Sequence, residues 1–147
     1  KGLTMASDNS SAADRDAVVA ILQSQAECWQ RGDAEGYAAT AEDDLAFTNI
    51  RGQRWIGRAA FVKVHESILH GGYAGSRLEC ELEQLTCPAP GVIVAELLLS
   101  LKGASTMPAG VVAGGDGVLR TRLLEIFELR NGTWTLITYH NTLVIVN

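Results

Sequence analysis

Near the C-terminal end, two runs of strand-forming residues, Leu119–Leu129 and Thr133–Val146, flank Arg130-Asn131-Gly132. An Asn-Gly pair accepts the positive φ values of a tight turn, so the two runs are predicted to fold back as a long antiparallel hairpin. Upstream, residues 76–87 alternate, with Leu78, Cys80 and Leu82 on one face and Glu79, Glu81 and Glu83 on the other. That is the pattern of a strand with one buried and one wet face. Pro88-Ala89-Pro90-Gly91 supplies a turn. Val92–Leu101 is almost continuously apolar, so both of its faces are expected to be covered.

The N-terminal half has a different period. Val18, Ile21, Leu22, Gln25, Cys28 and Trp29 recur at steps of three and four, which predicts an amphipathic helix from about Asp14. Gly32 supplies a left-handed helix end and Asp33 a cap for a second helix over roughly 34–41, so the RGD tripeptide is punctuation. Leu45–Asn49 and Gln53–Ile56 form a hairpin about Gly52. A third helix over about 58–70 buries Ala60, Phe61, Val64 and Ile68. Helices followed by long antiparallel strands give the α+β class. The reading is one domain over residues 14–147, preceded by a flexible arm over 1–13. Residues 103–118, rich in Gly and Ala, are the one long loop: a lid, a binding loop or a disordered tip.

Composition narrows the functional classes. A chain of 147 residues can bury a core without disulfides, and 47% hydrophobic with 20% charged residues is a globular balance. The net charge of −5 comes with no basic cluster, which disfavours nucleic acid and anionic membrane as partners. An odd count of cysteines (Cys28, Cys80, Cys87) with no C-x-x-C is read as reduced thiols in a cytoplasmic protein. The chain has no G-x-G-x-x-G after a strand, no H-x-x-x-H and no G-x-S-x-G. No cofactor and no metal are expected.

The helix–Gly-Asp–helix start, the DDLAFTNIRG hairpin, Gly57-Arg58 opening a helix and a final G-x-W before a long strand resemble the nuclear transport factor 2-like superfamily, with its SnoaL-like and ketosteroid-isomerase-like members. The resemblance spans about Asp14 to Val146. It implies a strongly curved antiparallel sheet wrapped around three N-terminal helices, a cone with a cavity at its wide end. Phe47-x-Asn49-x-x-Gly52, His65, Arg122, Trp134 and His140-Asn141-Thr142 further resemble the SgcJ/EcaC branch, some of whose members are encoded with enediyne polyketide synthases. The ligand implied is a hydrophobic, polyketide-like small molecule. A homodimer and a polyketide synthase are the implied partners.

The stretch 41–65 is the place to look for the pocket. Alignment with ketosteroid-isomerase-like relatives puts Asn49 at the position of the carboxylate base and Gln25 at that of the phenol. Neither amide can take a proton at neutral pH, so steroid-type isomerisation by that route is disfavoured. Asn49 is a pocket residue or a turn residue satisfying its own backbone. His65, bordering the apolar stripe of the third helix, is the first candidate for proton transfer, with His140 as the second. His140 and Asn141 point to opposite faces of the last strand, so one of them faces the cavity. Arg122 can clamp a ligand oxygen or pair with a Glu of residues 79–83. Tyr37, Phe47 and Trp55 are the candidate aromatic walls, and Asp43-Asp44 are read as structural. Three functions fit: a cofactor-free acid–base enzyme, a non-enzymatic carrier of a synthase intermediate, and a structural dimer with a vestigial pocket.

Overall fold

The computed structural model describes residues 10–145. Helix α1 (Ala12–Gln30) opens at a reciprocal cap: the Asp14 amide donates to Ser11 Oγ at 3.1 Å and the Ser11 amide to Asp14 Oδ2 at 3.2 Å. The arm expected over residues 1–13 lies outside the described residues for 1–9, and its end is the first turn of α1. Val18, Leu22, Gln25 and Trp29 form the buried stripe of α1. Arg31 and Gly32 (φ 67) close the helix, and Asp33 caps α2 (Ala34–Tyr37) by accepting from the Gly36 amide at 2.8 Å. Helix α2 is shorter than the 34–41 predicted. The chain is drawn into the sheet at Thr40, whose carbonyl accepts from the Leu136 amide at 2.8 Å.

Strands β1 (Ala41–Thr48) and β2 (Arg54–Ile56) form the short hairpin, and α3 runs over Arg58–Leu69. Then follow β3 (Arg77–Ala89), β4 (Val92–Lys102), β5 (Leu119–Arg130) and β6 (Thr133–Leu143). The α+β prediction holds. The strands make one curved sheet in the order β2-β1-β6-β5-β4-β3, antiparallel throughout except for the parallel pairing of β1 with β6. β1 starts earlier than Leu45 because that parallel pairing extends back to Ala41.

The inner face of the sheet carries the core. Ile93, Ala95, Leu97, Leu99 and Leu101 of β4 are buried inward, whereas Val94 and Leu98 on the outer face are only half-buried. On β5 the inward positions are Leu119, Thr121, Leu123, Glu125 and Phe127. β6 holds a bulge. Phe127 pairs with Leu136 and Ile126 with Thr138, which leaves Ile137 unpaired. An extra residue of this kind bends a strand and reverses its inward–outward alternation beyond that point.

Candidate functional site

Between α3, the β1–β2 hairpin and the inner face of the sheet lies a cavity of about 680 Å³. Helix α3 contributes Ala60, Val64 and Ser67/Ile68, residues spaced at three and four so that one helical face borders the space. The sheet contributes Leu78, Leu99, Leu101 and Leu119, and the hairpin contributes Phe47, Ile50 and Trp55. Phe47 and Trp55 stack at 5.3 Å between ring centroids. Pro108 of the long loop also lines the cavity, and the loop is held in place at Gly72. The Gly72 carbonyl accepts from the Ser105 amide at 2.9 Å and from Ser105 Oγ at 3.1 Å. This loop is therefore a wall of the cavity.

His65 is 3% exposed, and its ring borders the cavity. Its Nδ1 lies 2.7 Å from the Phe61 carbonyl. A carbonyl only accepts, so Nδ1 carries the proton and Nε2 presents a lone pair. Nε2 has no partner among the described residues, and it is not sealed off. The rings of Phe61, Tyr37 and Phe47 lie 4.2, 4.8 and 5.4 Å away between centroids. Such surroundings desolvate the imidazolium and bring the pKa of His65 down to about 4, against a small opposing effect of the Phe61 bond. At neutral pH the ring is an uncharged hydrogen-bond acceptor.

Asn141 also lines the cavity. Its Oδ1 is buried, and its side-chain amide makes no hydrogen bond among the described residues. Tyr139 and Thr121 add polar atoms to the same wall, but the Tyr139 hydroxyl is taken by that of Tyr37 at 2.6 Å. Burial raises the pKa of both phenols, so each stays protonated.

The predicted site residues thus divide. His65, Asn141, Phe47, Trp55 and Asn49 surround the cavity. Asn49 does so at the hairpin tip, where its Oδ1 accepts from the amides of Arg51 at 3.0 Å and Gln53 at 2.9 Å. It is a turn residue and a rim residue at once. Tyr37 lies behind the lining, packed on Phe61 and bonded to Tyr139. Arg122 and His140 are corrected to the outer face of the sheet. Arg122 Nε donates to Glu83 Oε1 at 2.9 Å, the alternative open to it in the sequence. His140 shares sequence parity with Trp134, but the bulge at Ile137 turns Tyr139 and Asn141 inward and His140 out. Asp44 pairs with Arg130 at 3.1 Å, the structural role expected of it, and that bond lowers its pKa.

Sequence reasoning passed over Glu125. It is fully buried beside Tyr139 in the sheet register, and its Oε1 accepts from Gln25 Nε2 at 2.9 Å. Its Oε2 has no partner among the described residues. Burial pushes its pKa up to about 8 despite the Gln25 bond, so a neutral carboxylic acid sits behind the cavity floor. Its position in the alternation Leu119–Thr121–Leu123–Glu125–Phe127 is the signal that could have found it. The cysteines are free thiols. Among the described residues no group of His, Cys, Asp or Glu is placed to hold a metal ion, and no helix is long and apolar enough to cross a membrane.

The sequence matches the SnoaL-like domain family over residues 18–146. Among solved structures, a protein with a cystatin-like fold from Caulobacter vibrioides is similar at 25% identity, covering 91% of this chain and 92% of its own, with a TM-score of 0.77. A cystatin-like domain from Nostoc punctiforme gives a TM-score of 0.77 at 19% identity, over 93% of this chain and 81% of its own. The hexachlorocyclohexane dehydrochlorinase LinA-type3 of Novosphingobium barchaimii shares the fold with a TM-score of 0.74 at 11% identity, over 90% of this chain and 88% of its own. No curated protein matches the sequence.

Proposed function

The chain belongs to the SnoaL-like domain family, and from that premise we propose that its cavity binds an apolar, polyketide-like small molecule through a hydrogen-bonding oxygen. The observation that carries this reading is a pair of acceptors that have no partner among the described residues in a largely apolar space: the Nε2 lone pair of His65 and the buried Oδ1 of Asn141. Apolar walls give affinity by burial, and a few fixed polar groups select orientation. A buried polar group without a partner carries a desolvation penalty of about 1–3 kcal/mol, which a ligand that bonds it relieves. A ligand with two hydroxyls set apart, as on a polyhydroxylated aromatic polyketide, fits both groups: one donates to His65 Nε2 and the other to Asn141 Oδ1. These are the oxygens that a polyketide chain carries at alternate carbons.

Carriage is favoured over catalysis by the same histidine. An imidazole whose conjugate acid has a pKa of about 4 is neutral but weakly basic, so it holds a hydrogen bond more readily than a proton. Asn49 cannot act as the base in its place. The proposal extends to an accessory role beside a bacterial polyketide synthase, of the kind implied by the resemblance to the SgcJ/EcaC branch, with the protein acting as a homodimer.

Trp29 and Trp55 line the cavity and report occupancy through their fluorescence. Titration with 1,8-dihydroxyanthraquinone and with unsubstituted anthraquinone, both uncharged, tests the reading. Wild type is expected to favour the hydroxylated ligand by about tenfold, the worth of one or two net hydrogen bonds. His65→Leu and Asn141→Leu are each expected to reduce that preference while still binding the parent ring. Quenching by neither ligand removes the binding role. Equal affinity for both removes the roles of His65 and Asn141.

A further inference from the structure

Resting on the cavity as a binding site, we propose that its natural ligand is an amphiphilic carboxylic acid, seated with its apolar body inward and its carboxylate at the mouth between Arg51 and Lys63. The chain carries a net charge of −5, yet among the described residues no Asp or Glu lines the cavity. The ionised side chains that border it are Arg51, at the tip of the β1–β2 hairpin, and Lys63, on the cavity-facing side of α3. Both are exposed, so they mark the mouth rather than the interior.

Neither cation is spoken for. Elsewhere basic side chains face carboxylates: Arg58 with Glu35, Lys102 with Glu79, Arg122 with Glu83 and Arg130 with Asp44. Arg51 and Lys63 form no ion pair and no side-chain hydrogen bond among the described residues. The Arg51 backbone is also fixed, since its amide donates to Asn49 Oδ1 and the Gly52 amide to the Asn49 carbonyl, each at 3.0 Å. The hairpin tip therefore fixes the Cα from which that guanidinium extends.

The interior argues for the same orientation. An ionised carboxylate buried without a cationic partner is strongly disfavoured, and the cavity walls offer it only a neutral imidazole, an amide and hydroxyls. At the mouth, the same group keeps part of its water and gains two cations, one of them able to bond it through two N–H groups.

The test compares cis-parinaric acid, a linear polyene acid, with its methyl ester, each followed by its own fluorescence. Wild type is expected to bind the acid about tenfold more tightly than the ester, with the gap closing as salt is raised. Arg51→Ala combined with Lys63→Ala is expected to erase the preference and leave the affinity for the ester unchanged. Arg54→Ala, which removes an exposed arginine outside the cavity lining, is expected to preserve it. Equal binding of acid and ester by wild type overturns the carboxylate inference and leaves the cavity reading in place. A preference that survives in the double variant overturns the assignment to Arg51 and Lys63. Binding of neither probe overturns the carboxylic-acid inference, while the cavity reading stands or falls on the anthraquinone titration.

Discussion

Glu125 and His65 are held neutral by the same cause, burial, and their effects on stability have opposite sign in pH. In the unfolded chain Glu125 releases its proton near pH 4.5, whereas in the fold it keeps it up to about pH 8. Its contribution to stability is thus complete below pH 4.5 and is lost as pH rises to about 8. His65 takes up a proton near pH 6.5 when unfolded but only near pH 4 when folded. Its contribution is complete above pH 6.5 and is lost as pH falls through 4. Between pH 4.5 and 6.5 the two slopes cancel. From pH 6.5 to 8 Glu125 acts alone, with a slope of about 1.4 kcal/mol per pH unit, or roughly 2 kcal/mol across the interval. Glu125→Gln keeps an acceptor for Gln25 and removes the ionisation, so its stability in urea is expected to stay level over pH 6.5–8 while wild type declines. Parallel curves for the two proteins would show that Glu125 is not the group responsible.

The β1–β2 hairpin and α3 make the two sides of the cavity mouth, and they are joined at Gly57. Its φ of 101 lies where a side chain is strained, its amide donates to the Leu45 carbonyl at 2.8 Å, and a Cβ added there would stand 2.9 Å from the Asp43 carbonyl oxygen. Gly52 at the hairpin tip also has positive φ (75), but a Cβ there meets open space. Gly57→Ala is expected to cost about 2–4 kcal/mol, from strain and clash together, and Gly52→Ala about 1 kcal/mol from φ alone. Equal losses in chemical denaturation would mean that the Asp43 contact yields freely. At this scale the sequence was readable wherever a period marks an element. The three- and four-residue steps placed α1 and α3, and Asn131-Gly132 placed the turn between β5 and β6; the two-residue steps placed β3 but not its burial, since Leu78 is buried while Cys80 and Leu82 on the same face are exposed. The bulge at Ile137 leaves no such mark. Parity counted from Trp134 therefore could not say whether His140 or Asn141 turns inward. Glu125 is the reverse case, with a parity as plain as that of Leu123 and Phe127. It was obscured because an acid at an inward position runs against the burial that the alternation implies.

At the scale of the molecule, the cavity occupies one face of the sheet and leaves the other to be accounted for. On that outer face Val94 pairs with Ile126, Leu98 with Arg122 and Glu96 with Leu124, so apolar side chains from β4 and β5 alternate with charged ones. Val94, Leu98, Leu124 and Ile126 are half-buried, and beside them a second hollow of about 560 Å³ is bordered by Glu83, Glu96, Arg122 and His140. Half-buried apolar residues interspersed with charged ones can form an interface, and the homodimer implied by the family resemblance would use this face. A two-fold contact there would set each β4–β5 pair against its copy and leave both cavity mouths, on the far side of the sheets, free. The outward glutamates of β3, such as Glu79 in its ion pair with Lys102, would then stay in water at the border. Sedimentation of wild type at micromolar concentration is expected to give the dimer mass, and Leu98→Asp combined with Ile126→Asp the monomer mass. Because neither residue lines the cavity, quenching of Trp29 and Trp55 by a bound ligand is expected to survive in the variant. A monomeric wild type would remove the dimer. Loss of ligand binding along with dissociation would place the interface and the cavity in one cooperative unit, rather than on two independent faces of the same sheet.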